Sequence, residues 1–359
     1  MKKRYSVITG TGSYIPEKKV SNEAFLENEF LTTQGEKIQT DNNEIISKFE
    51  EITGIRERRY AEDNHVASDL ATFAAQDALE SSKIDKETLD YIIVAHNFGD
   101  VRKDKKWSDF LPSLAARVKQ NLGIENPRTV AYDIIFGCPG WLQGVIQSDY
   151  YLKSGDASRA MIIGAETLSR VSDPHDRDSM IYSDGAGATI IDSVVSRKPV
   201  GILSHSTRSD ALEYANMLTM NDSYNRDYNG AELFVKMNGR KLYEYAINTV
   251  PILVKDTIEK AKLLLQDISK VLIHQANEKL DEAILKNIFK LFGEKVIPQH
   301  IMPMIIANLG NNSVATIPVM LDMIFKERVD YQRFIKDDVL AFASVGAGMN
   351  INSFIYRVP

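Results

Sequence analysis

Short apolar runs alternate along the chain with longer segments in which apolar residues recur every three or four positions. A near-continuous apolar run of this length is typical of a strand buried on both faces. Such runs predict strands at Tyr5–Thr9, Tyr91–Ala95, Thr129–Ile134, Ala160–Gly164, Ala188–Ile191, Val271–Ile273, Val339–Ala343 and Phe354–Tyr356. The longer spacing predicts helices at Ala67–Ser81, Pro112–Leu122, Pro139–Lys153, Leu233–Leu265, Glu278–Phe292 and Ser313–Lys326. This alternation predicts an α/β fold, with mixed sheets covered by helices.

Two stretches of the chain follow the same order of strand, histidine and helix start. In the first, a predicted strand leads into His96, and a later helix begins near Cys138. In the second, a predicted strand leads into His274, and a later helix begins near Asn311. We interpret the stretches as copies of one unit, although chance matches among buried strands are common. If the copies pack together, Cys138, His274 and Asn311 meet in one pocket. The expected halves are residues 1–198 and 199–359.

Composition and charge exclude several classes of protein. The 359 residues carry 43 Lys and Arg against 49 Asp and Glu, a net charge of -6, and no basic run favours nucleic acid. The apolar stretch near the N-terminus, Val7-Ile8, is too short for a signal peptide or a membrane span. A single cysteine rules out an intrachain disulfide and fits a reducing compartment. We therefore expect a cytoplasmic protein that binds neither nucleic acid nor membrane.

The single cysteine, Cys138, lies in the sequence Gly137-Cys138-Pro139-Gly140, between a predicted strand and a predicted helix. Proline suits the first position of a helix, so we expect the helix to begin at Pro139 with Cys138 as its cap. The positive end of the helix dipole would then lower the pKa of the thiol and favour the nucleophilic thiolate. Cys138 is thus a candidate nucleophile, and a small buried core residue is the alternative.

Seven motifs, in matching order over nearly the whole chain, resemble the β-ketoacyl-acyl carrier protein synthase III family of thiolase-like condensing enzymes. They are Gly10–Pro16, Thr53–Arg58, Tyr151–Gly155, Asp173–Arg177, Asp184–Ala188, His274–Asn277 and Gly310–Pro318. The resemblance implies a duplicated, five-layer αβαβα sandwich of the thiolase type. It also implies a homodimer, acyl thioesters of coenzyme A or acyl carrier protein as substrates, and neither a metal nor another cofactor.

The resemblance places Cys138, His274 and Asn311 on the Cys-His-Asn triad of the family. In that role the cysteine holds the acyl group covalently, and the backbone amides of Cys138 and Ala347 form the oxyanion hole. The histidine and asparagine stabilise the enolate left when a malonyl or other β-keto acid thioester loses carbon dioxide. The further substrate-binding residues that the resemblance implies are Phe110, Arg177, Asn277, Tyr243, Gly346 and Gly348.

Several positions depart from the family pattern. Lys48 and Ile52 stand where well-studied members have a tryptophan and an arginine that hold the adenine of coenzyme A, and Arg240 replaces an asparagine near the pantetheine arm. These departures favour delivery of the first acyl group by a carrier protein over delivery by coenzyme A. The segments 27–43 and 100–109 are longer than the corresponding segments usual in the family. They form either a reshaped substrate entrance or solvated loops. These two segments, together with the proline that follows Cys138, make the chain resemble ketosynthases that join two β-ketoacyl units into cyclohexanedione precursors of dialkylresorcinols.

A docking site for an acidic acyl carrier protein is expected on the helix that follows His274. Lys279, Lys286 and Lys290 recur there at a spacing that places them on one helix face. Positive charge beside the pocket would steer an acidic partner toward it. Isolated solvated lysines are the alternative.

Related enzyme classes fit less well. A thiolase of the usual type needs a second cysteine, which the chain lacks, and elongating condensing enzymes have a Cys-His-His pattern where this chain has Asn311. A papain-like protease has its cysteine near the mature N-terminus, in a different local sequence. A catalytically silent subunit that binds acyl chains for a partner synthase stays open, although retention of all three triad residue types speaks against it.

Overall fold

The computed structural model describes residues 3–359, in which strands and helices alternate. The strands are β1 (Lys3–Tyr14), β2 (Lys18–Ser21), β3 (Glu57–Tyr60), β4 (Tyr91–Ala95), β5 (Asp100–Val101), β6 (Ser108–Asp109), β7 (Val130–Ile134), β8 (Arg159–Thr167), β9 (Asp184–Ser196), β10 (Gly201–Ser209), β11 (Leu218–Asn221), β12 (Phe234–Met237), β13 (Lys270–Ile273), β14 (Val339–Gly346) and β15 (Asn350–Arg357). The α-helices are α1 (Asn42–Thr53), α2 (Ala67–Ser82), α3 (Leu114–Asn121), α4 (Gly140–Ser154), α5 (Ala211–Tyr214), α6 (Gly239–Lys260), α7 (Glu278–Leu291), α8 (Ile306–Leu309) and α9 (Thr316–Phe325).

Two mixed sheets repeat one arrangement of strands. The first has the order β1-β9-β8-β4-β7, and the second has the order β10-β15-β14-β13. In the first, β4 and β8 are parallel, while β9 is antiparallel to both β8 and β1. In the second, β13 and β14 are parallel, while β15 is antiparallel to both β14 and β10. The second sheet therefore has the connectivity of the first without a counterpart of the edge strand β7.

Helices and sheets stack in five layers, as the packing of buried side chains shows. Helices α2 and α3 pack on the outer face of the first sheet, and α6 and α7 pack on the outer face of the second. Helices α4 and α9 lie between the sheets, where Trp141 of α4 packs near Phe342 and Phe354 of the second sheet. The predicted αβαβα sandwich of the thiolase type is therefore confirmed.

Burial explains why the central helices are apolar around most of their circumference. Eight of the ten residues of α9 are buried, since sheets cover the helix on two sides. On α7, in contrast, only one face is buried, and the other carries exposed lysines. None of the helices within residues 3–359 is long and apolar enough to cross a membrane.

The structure corrects several predicted element bounds. The predicted helix Leu233–Leu265 begins only at Gly239, because Phe234–Met237 pairs with β11 as strand β12 and the Asn238 side chain caps the helix at the Lys241 amide. The helix after Cys138 begins at Gly140, one residue later than expected, with Pro139 as its N-cap. Strand β10 and helix α1 were not predicted.

Candidate active site

Three side chains from distant parts of the chain line one cavity. Cys138 follows the end of β7, His274 follows the end of β13, and Asn311 lies between α8 and α9. The cavity has a volume of about 790 Å³, which is in the upper part of the usual range for ligand pockets. The structure therefore brings together the three residues that the sequence had placed in one pocket.

The Cys138 thiol lies in an environment that opposes ionisation. Burial raises its pKa to about 11, the Ser313 hydroxyl hydrogen bond lowers it and the charge of Glu166 raises it. The expectation of a lowered pKa is wrong for this structure. The loss of hydration on burial is the largest cause, and it outweighs the hydrogen bonds that favour the thiolate.

His274 and Asn311 present hydrogen-bond donors rather than charges. His274 is 5 % exposed, and burial lowers its pKa to about 4, so the imidazole is neutral at pH 7. Its backbone amide donates to Ala343 over 3.0 Å, which fixes the residue at the strand end. The Asn311 side-chain oxygen accepts from the Ser313 amide over 2.8 Å, which leaves the NH₂ group as the available donor. Neutral donors suit the stabilisation of a developing oxyanion.

The chain segments around Cys138 and Ala347 lie in direct contact. A Cβ atom on Gly137 would be 2.6 Å from the Ala347 backbone nitrogen, and Gly137 has a φ of 66°. Glycine is therefore needed at this position both for space and for backbone conformation. The contact brings the backbone amides of Cys138 and Ala347 to neighbouring positions on the cavity wall.

Two family models match the chain in its two halves. The model of 3-oxoacyl-[acyl-carrier-protein] synthase III matches residues 132–211, and the model of the C-terminal region of the same enzyme matches residues 258–358. The β-ketoacyl-[acyl-carrier-protein] synthase III of Ehrlichia canis is 32% identical over 354 residues, which cover 98% of this chain and 99% of the relative. The chain belongs to the synthase III family. It is an acyltransferase of the condensing-enzyme type.

Further relatives are similar to this synthase along nearly its whole length, in sequence or in fold. The β-ketoacyl-[acyl-carrier-protein] synthase III of Prochlorococcus marinus is 30% identical over 355 residues, covering 97% of this chain and 94% of the relative. The synthase III structure from Thermus thermophilus superposes with a TM-score of 0.79 at 29% identity, covering 98% of this chain and 99% of the other. OleA from Xanthomonas campestris shares the fold, with a TM-score of 0.74, 19% identity and 99% coverage of both chains.

Most of the substrate-binding residues expected from the sequence line the cavity of the synthase, and one does not. Those that line it, besides the Ala347 of the expected oxyanion hole, are Arg177, Tyr243, Asn277, Gly346 and Gly348. Phe110 lies outside the cavity of the single chain, where its ring centroid is 5.9 Å from that of His96 and the residue is 43 % exposed. Phe110 directly follows the hairpin in which Asp100 pairs with Asp109.

The cavity of the synthase is lined partly by segments that the sequence analysis expects to depart from the family pattern. Lys48 and Ile52 of α1 line it, and so do Ile38 and Thr40 of the inserted segment 27–43. The first expected insertion therefore contributes to the cavity wall. The second expected insertion, residues 100–109, contains the β5–β6 hairpin and does not line the cavity.

Five further polar residues on or beside the cavity were not singled out from the sequence: Asn97, Glu166, Asp178, Tyr182 and Ser313. Burial raises the pKa of Glu166 to about 8 and that of Asp178 to about 6. Asn97 and Glu166 lie at the carboxyl ends of the adjacent parallel strands β4 and β8. Functional groups gather at the carboxyl ends of such strands. The sequence positions of Asn97 and Glu166 after predicted strands could therefore have identified them as candidate site residues.

Proposed function

We propose that the synthase loads an acyl group onto Cys138 and then condenses it with a malonyl- or β-ketoacyl-thioester that loses carbon dioxide. The convergence of Cys138, His274 and Asn311 on one cavity of a synthase III family member carries this proposal. The supporting chemistry is that a partly buried thiol, two neutral donors and two backbone amides are what a thioester condensation requires.

In the first half-reaction the Cys138 sulfur attacks the carbonyl carbon of the acyl thioester. A carbon–sulfur bond to the enzyme forms, the bond to the carrier thiol breaks, and the carrier leaves as a free thiol with the proton that Cys138 gives up. The tetrahedral oxyanion accepts hydrogen bonds from the backbone amides of Cys138 and Ala347, whose close approach supports this role.

In the second half-reaction the extender thioester loses carbon dioxide, and the electron pair of the broken bond forms an enolate. Neutral His274 and the Asn311 NH₂ group donate hydrogen bonds to the enolate oxygen. The enolate carbon then attacks the acyl carbonyl, a carbon–carbon bond forms, and Cys138 leaves as the thiolate. Neither donor must take a proton in this step, which agrees with an asparagine in the site.

Acyl carrier protein is the proposed donor of the first acyl group. The relatives are named for this carrier, and α7 presents Lys279, Lys286 and Lys290 on its exposed face next to the cavity residue Asn277. Lys48 and Ile52 at the cavity mouth lack the aromatic surface on which an adenine would stack. We also place the synthase in the cytoplasm, which its single cysteine and its family support.

We further propose that the acyl group loaded onto Cys138 is itself a β-ketoacyl unit. The synthase would then join two β-ketoacyl units. An unpaired polar group on the cavity wall favours this substrate class. Tyr182 is 6 % exposed and lines the cavity, and its hydroxyl has no hydrogen-bond partner within residues 3–359. Burying an unpaired hydroxyl costs free energy, and a keto oxygen of the substrate would supply the missing partner.

A homodimer is proposed as the working assembly. Strand β7 is an edge strand of the first sheet. Val130 at its start is 47 % exposed, and Ile135 directly after its end is 62 % exposed. Leu111, next to Phe110, is 87 % exposed. Exposed apolar side chains beside an unpaired strand edge favour pairing with a second copy. The proposed division of each copy into halves 1–198 and 199–359 falls between β9 and β10.

Mass spectrometry of the intact protein tests the function. The synthase is incubated with saturated acyl and β-ketoacyl thioesters of coenzyme A and of acyl carrier protein, and then with malonyl or β-ketoacyl extender. We expect a mass increase equal to the acyl group, its loss on addition of extender, and no adduct in Cys138→Ala. His274→Ala should still accept the acyl group but retain it when extender is added. The absence of any adduct would instead indicate a silent acyl-binding subunit.

A further inference from the structure

The Ser313 hydroxyl contacts the sulfur of Cys138. Its oxygen lies 3.3 Å from Cys138 Sγ, and Ser313 is 5 % exposed. The serine has a φ of 50°, in the left-handed region that few residues other than glycine adopt. Its amide donates to the Asn311 side-chain oxygen over 2.8 Å, which helps to hold this conformation. A strained backbone that aims a hydroxyl at a nucleophile is typical of a functional position.

Asn97 determines the direction in which the Ser313 hydroxyl points. Asn97 Nδ2 lies 3.2 Å from the Ser313 oxygen, and an amide NH₂ group only donates. Ser313 therefore accepts from Asn97, and its own hydrogen is directed to the sulfur. With the amide turned over, its oxygen would compete with Cys138 for that hydrogen.

Glu166 fixes the orientation of the Asn97 amide. Its Oε1 atom accepts from Asn97 Nδ2 over 2.6 Å, so both hydrogens of the NH₂ group are in use. Glu166 is 1 % exposed, which makes loss of this hydrogen bond costly. The three parallel strands β4, β7 and β8 bring Asn97, Cys138 and Glu166 together, while Ser313 comes from the second half of the chain.

The other titratable groups around the thiol do not favour its ionisation. The charge of Glu166 raises the pKa of Cys138. Tyr182 is an acid whose own pKa is raised by burial and by the nearby Asp178, and His274 is neutral at pH 7. Among these groups the Ser313 hydroxyl lowers the pKa of the thiol.

We propose that Ser313 is a further catalytic residue of the synthase, which donates a hydrogen bond to the Cys138 thiolate, and that Asn97 is a positioning residue that acts through it. The hydrogen bond is already present to the thiol, strengthens as the proton leaves the sulfur and remains until the sulfur attacks. No other bond is made or broken by Ser313. This role of Ser313 rests on the proposed attack by Cys138, and it is independent of which acyl group is loaded.

The rate of alkylation by iodoacetamide, measured from pH 6 to 11 by intact mass, tests the proposal. Cys138 is the single cysteine of the chain, so the adduct reports on this thiol alone. A hydrogen bond to a charged group is worth enough to move a pKa by about one unit. We expect Ser313→Ala and Ser313→Gly to shift the profile upward by about one unit, with alkylation about tenfold slower at pH 8. Glycine also relieves the left-handed backbone, so agreement of the two variants separates the hydroxyl from strain.

Controls and a double variant complete the experiment. Ser148→Ala removes a buried hydroxyl of α4 that does not contact Cys138, and its profile should match the parent. Asn97→Leu alone should shift the profile upward. The double variant with Ser313→Ala should have the same profile as Ser313→Ala alone, because Asn97 acts through the serine. An unchanged profile in folded Ser313→Ala and Ser313→Gly would overturn the proposal. If neither serine variant folds, Asn97→Leu decides: an upward shift supports the proposal and an unchanged profile overturns it.

Discussion

A Cβ atom on Gly346 would lie 2.3 Å from the backbone nitrogen of Cys138, closer than any side chain permits. The end of β14 and the nucleophile segment are thus in backbone contact, and this contact sets the positions of both proposed oxyanion donors. Gly346→Ala should push the two amides apart and lower kcat/KM about 100-fold or more, the usual effect of losing one such donor.

Steady-state kinetics together with a melting curve check the prediction for Gly346. The matched control is Gly293→Ala, at an exposed glycine outside the cavity, where no atom of residues 3–359 lies within 4 Å of an added Cβ atom. Its φ of 79° makes alanine destabilising there, and the melting curve separates that effect from the kinetics. We expect near-parent kinetics from the control. Parent-like activity in a folded Gly346→Ala would show that the donors do not depend on this contact.

Tyr182→Phe tests whether the cavity recognises the keto group of a β-ketoacyl substrate. The change removes only the unpaired hydroxyl and keeps the ring that lines the cavity. If the hydroxyl donates to a β-keto oxygen, kcat/KM should fall about 10-fold for β-ketoacyl thioesters and stay unchanged for saturated ones of equal length. Competition assays with paired substrates measure the ratio directly. A parallel change for both substrates would remove the β-keto preference from the proposed function.

Much of the fold and the triad could be predicted from local sequence, because buried strands are nearly continuously apolar and the motif residues follow them. Helix α1 and strand β12 were missed or misassigned where tertiary contacts decide the structure. Phe234–Met237 continues the apolar spacing of α6, and only pairing with β11 makes it a strand. The pKa of Cys138 was predicted in the wrong direction, because burial by segments that are distant in sequence raises it and the local sequence does not reveal that burial.

The Ser313–Asn97 contact shows what sequence alone could not supply. The two residues are 216 positions apart, and neither is unusual in its own segment. Their contact depends on how the two sheets face each other across α4 and α9, which is a property of packing between the halves of the chain. The position of Asn97 after a strand end indicates that it lies near the active site. Its contact with Ser313 depends on side-chain orientation, which the sequence does not show.

Reversing the charge of the exposed α7 lysines should weaken carrier docking without affecting chemistry. Lys279→Glu, Lys286→Glu and Lys290→Glu together should raise KM for carrier-bound substrate about 10-fold at low salt, because an acidic partner is no longer steered to the mouth. Acylation of Cys138 by a small thioester should stay unchanged. The control pair Lys198→Glu and Lys336→Glu reverses exposed lysines outside α7. Unchanged KM in the triple variant would exclude this docking face.

Leu111→Asp should convert the proposed dimer to a monomer. The leucine is 87 % exposed beside Phe110, and a carboxylate buried in an apolar interface without a partner carries a desolvation penalty of several kcal/mol. Sedimentation velocity measures the change in mass. Leu212→Asp, at a leucine of α5 that is 99 % exposed, is the matched control and should leave the assembly unchanged. A parent protein that sediments as a monomer would contradict the proposed assembly.

Protonation of His274 should make the free energy of unfolding depend on pH in mildly acidic solution. Its pKa is about 4 in the folded protein and about 6.5 in an unfolded chain. Between these values the unfolded state binds the proton and the folded state does not, so stability falls as pH decreases from 6.5 to 4. One such histidine contributes at most about 3 kcal/mol over this window.

Denaturant titrations of the parent and of His274→Gln from pH 7 to pH 4 isolate that contribution from the carboxylates, which titrate in both proteins. We expect the free energy of unfolding of the variant to fall less than that of the parent, by up to about 3 kcal/mol. His300→Asn is the control, since His300 is exposed and its φ of 61° suits asparagine. Its pH dependence should follow the parent. Equal slopes for the parent and His274→Gln would mean that the imidazole becomes charged within the folded cavity, and neutral donation to the enolate would then be lost at mildly acidic pH.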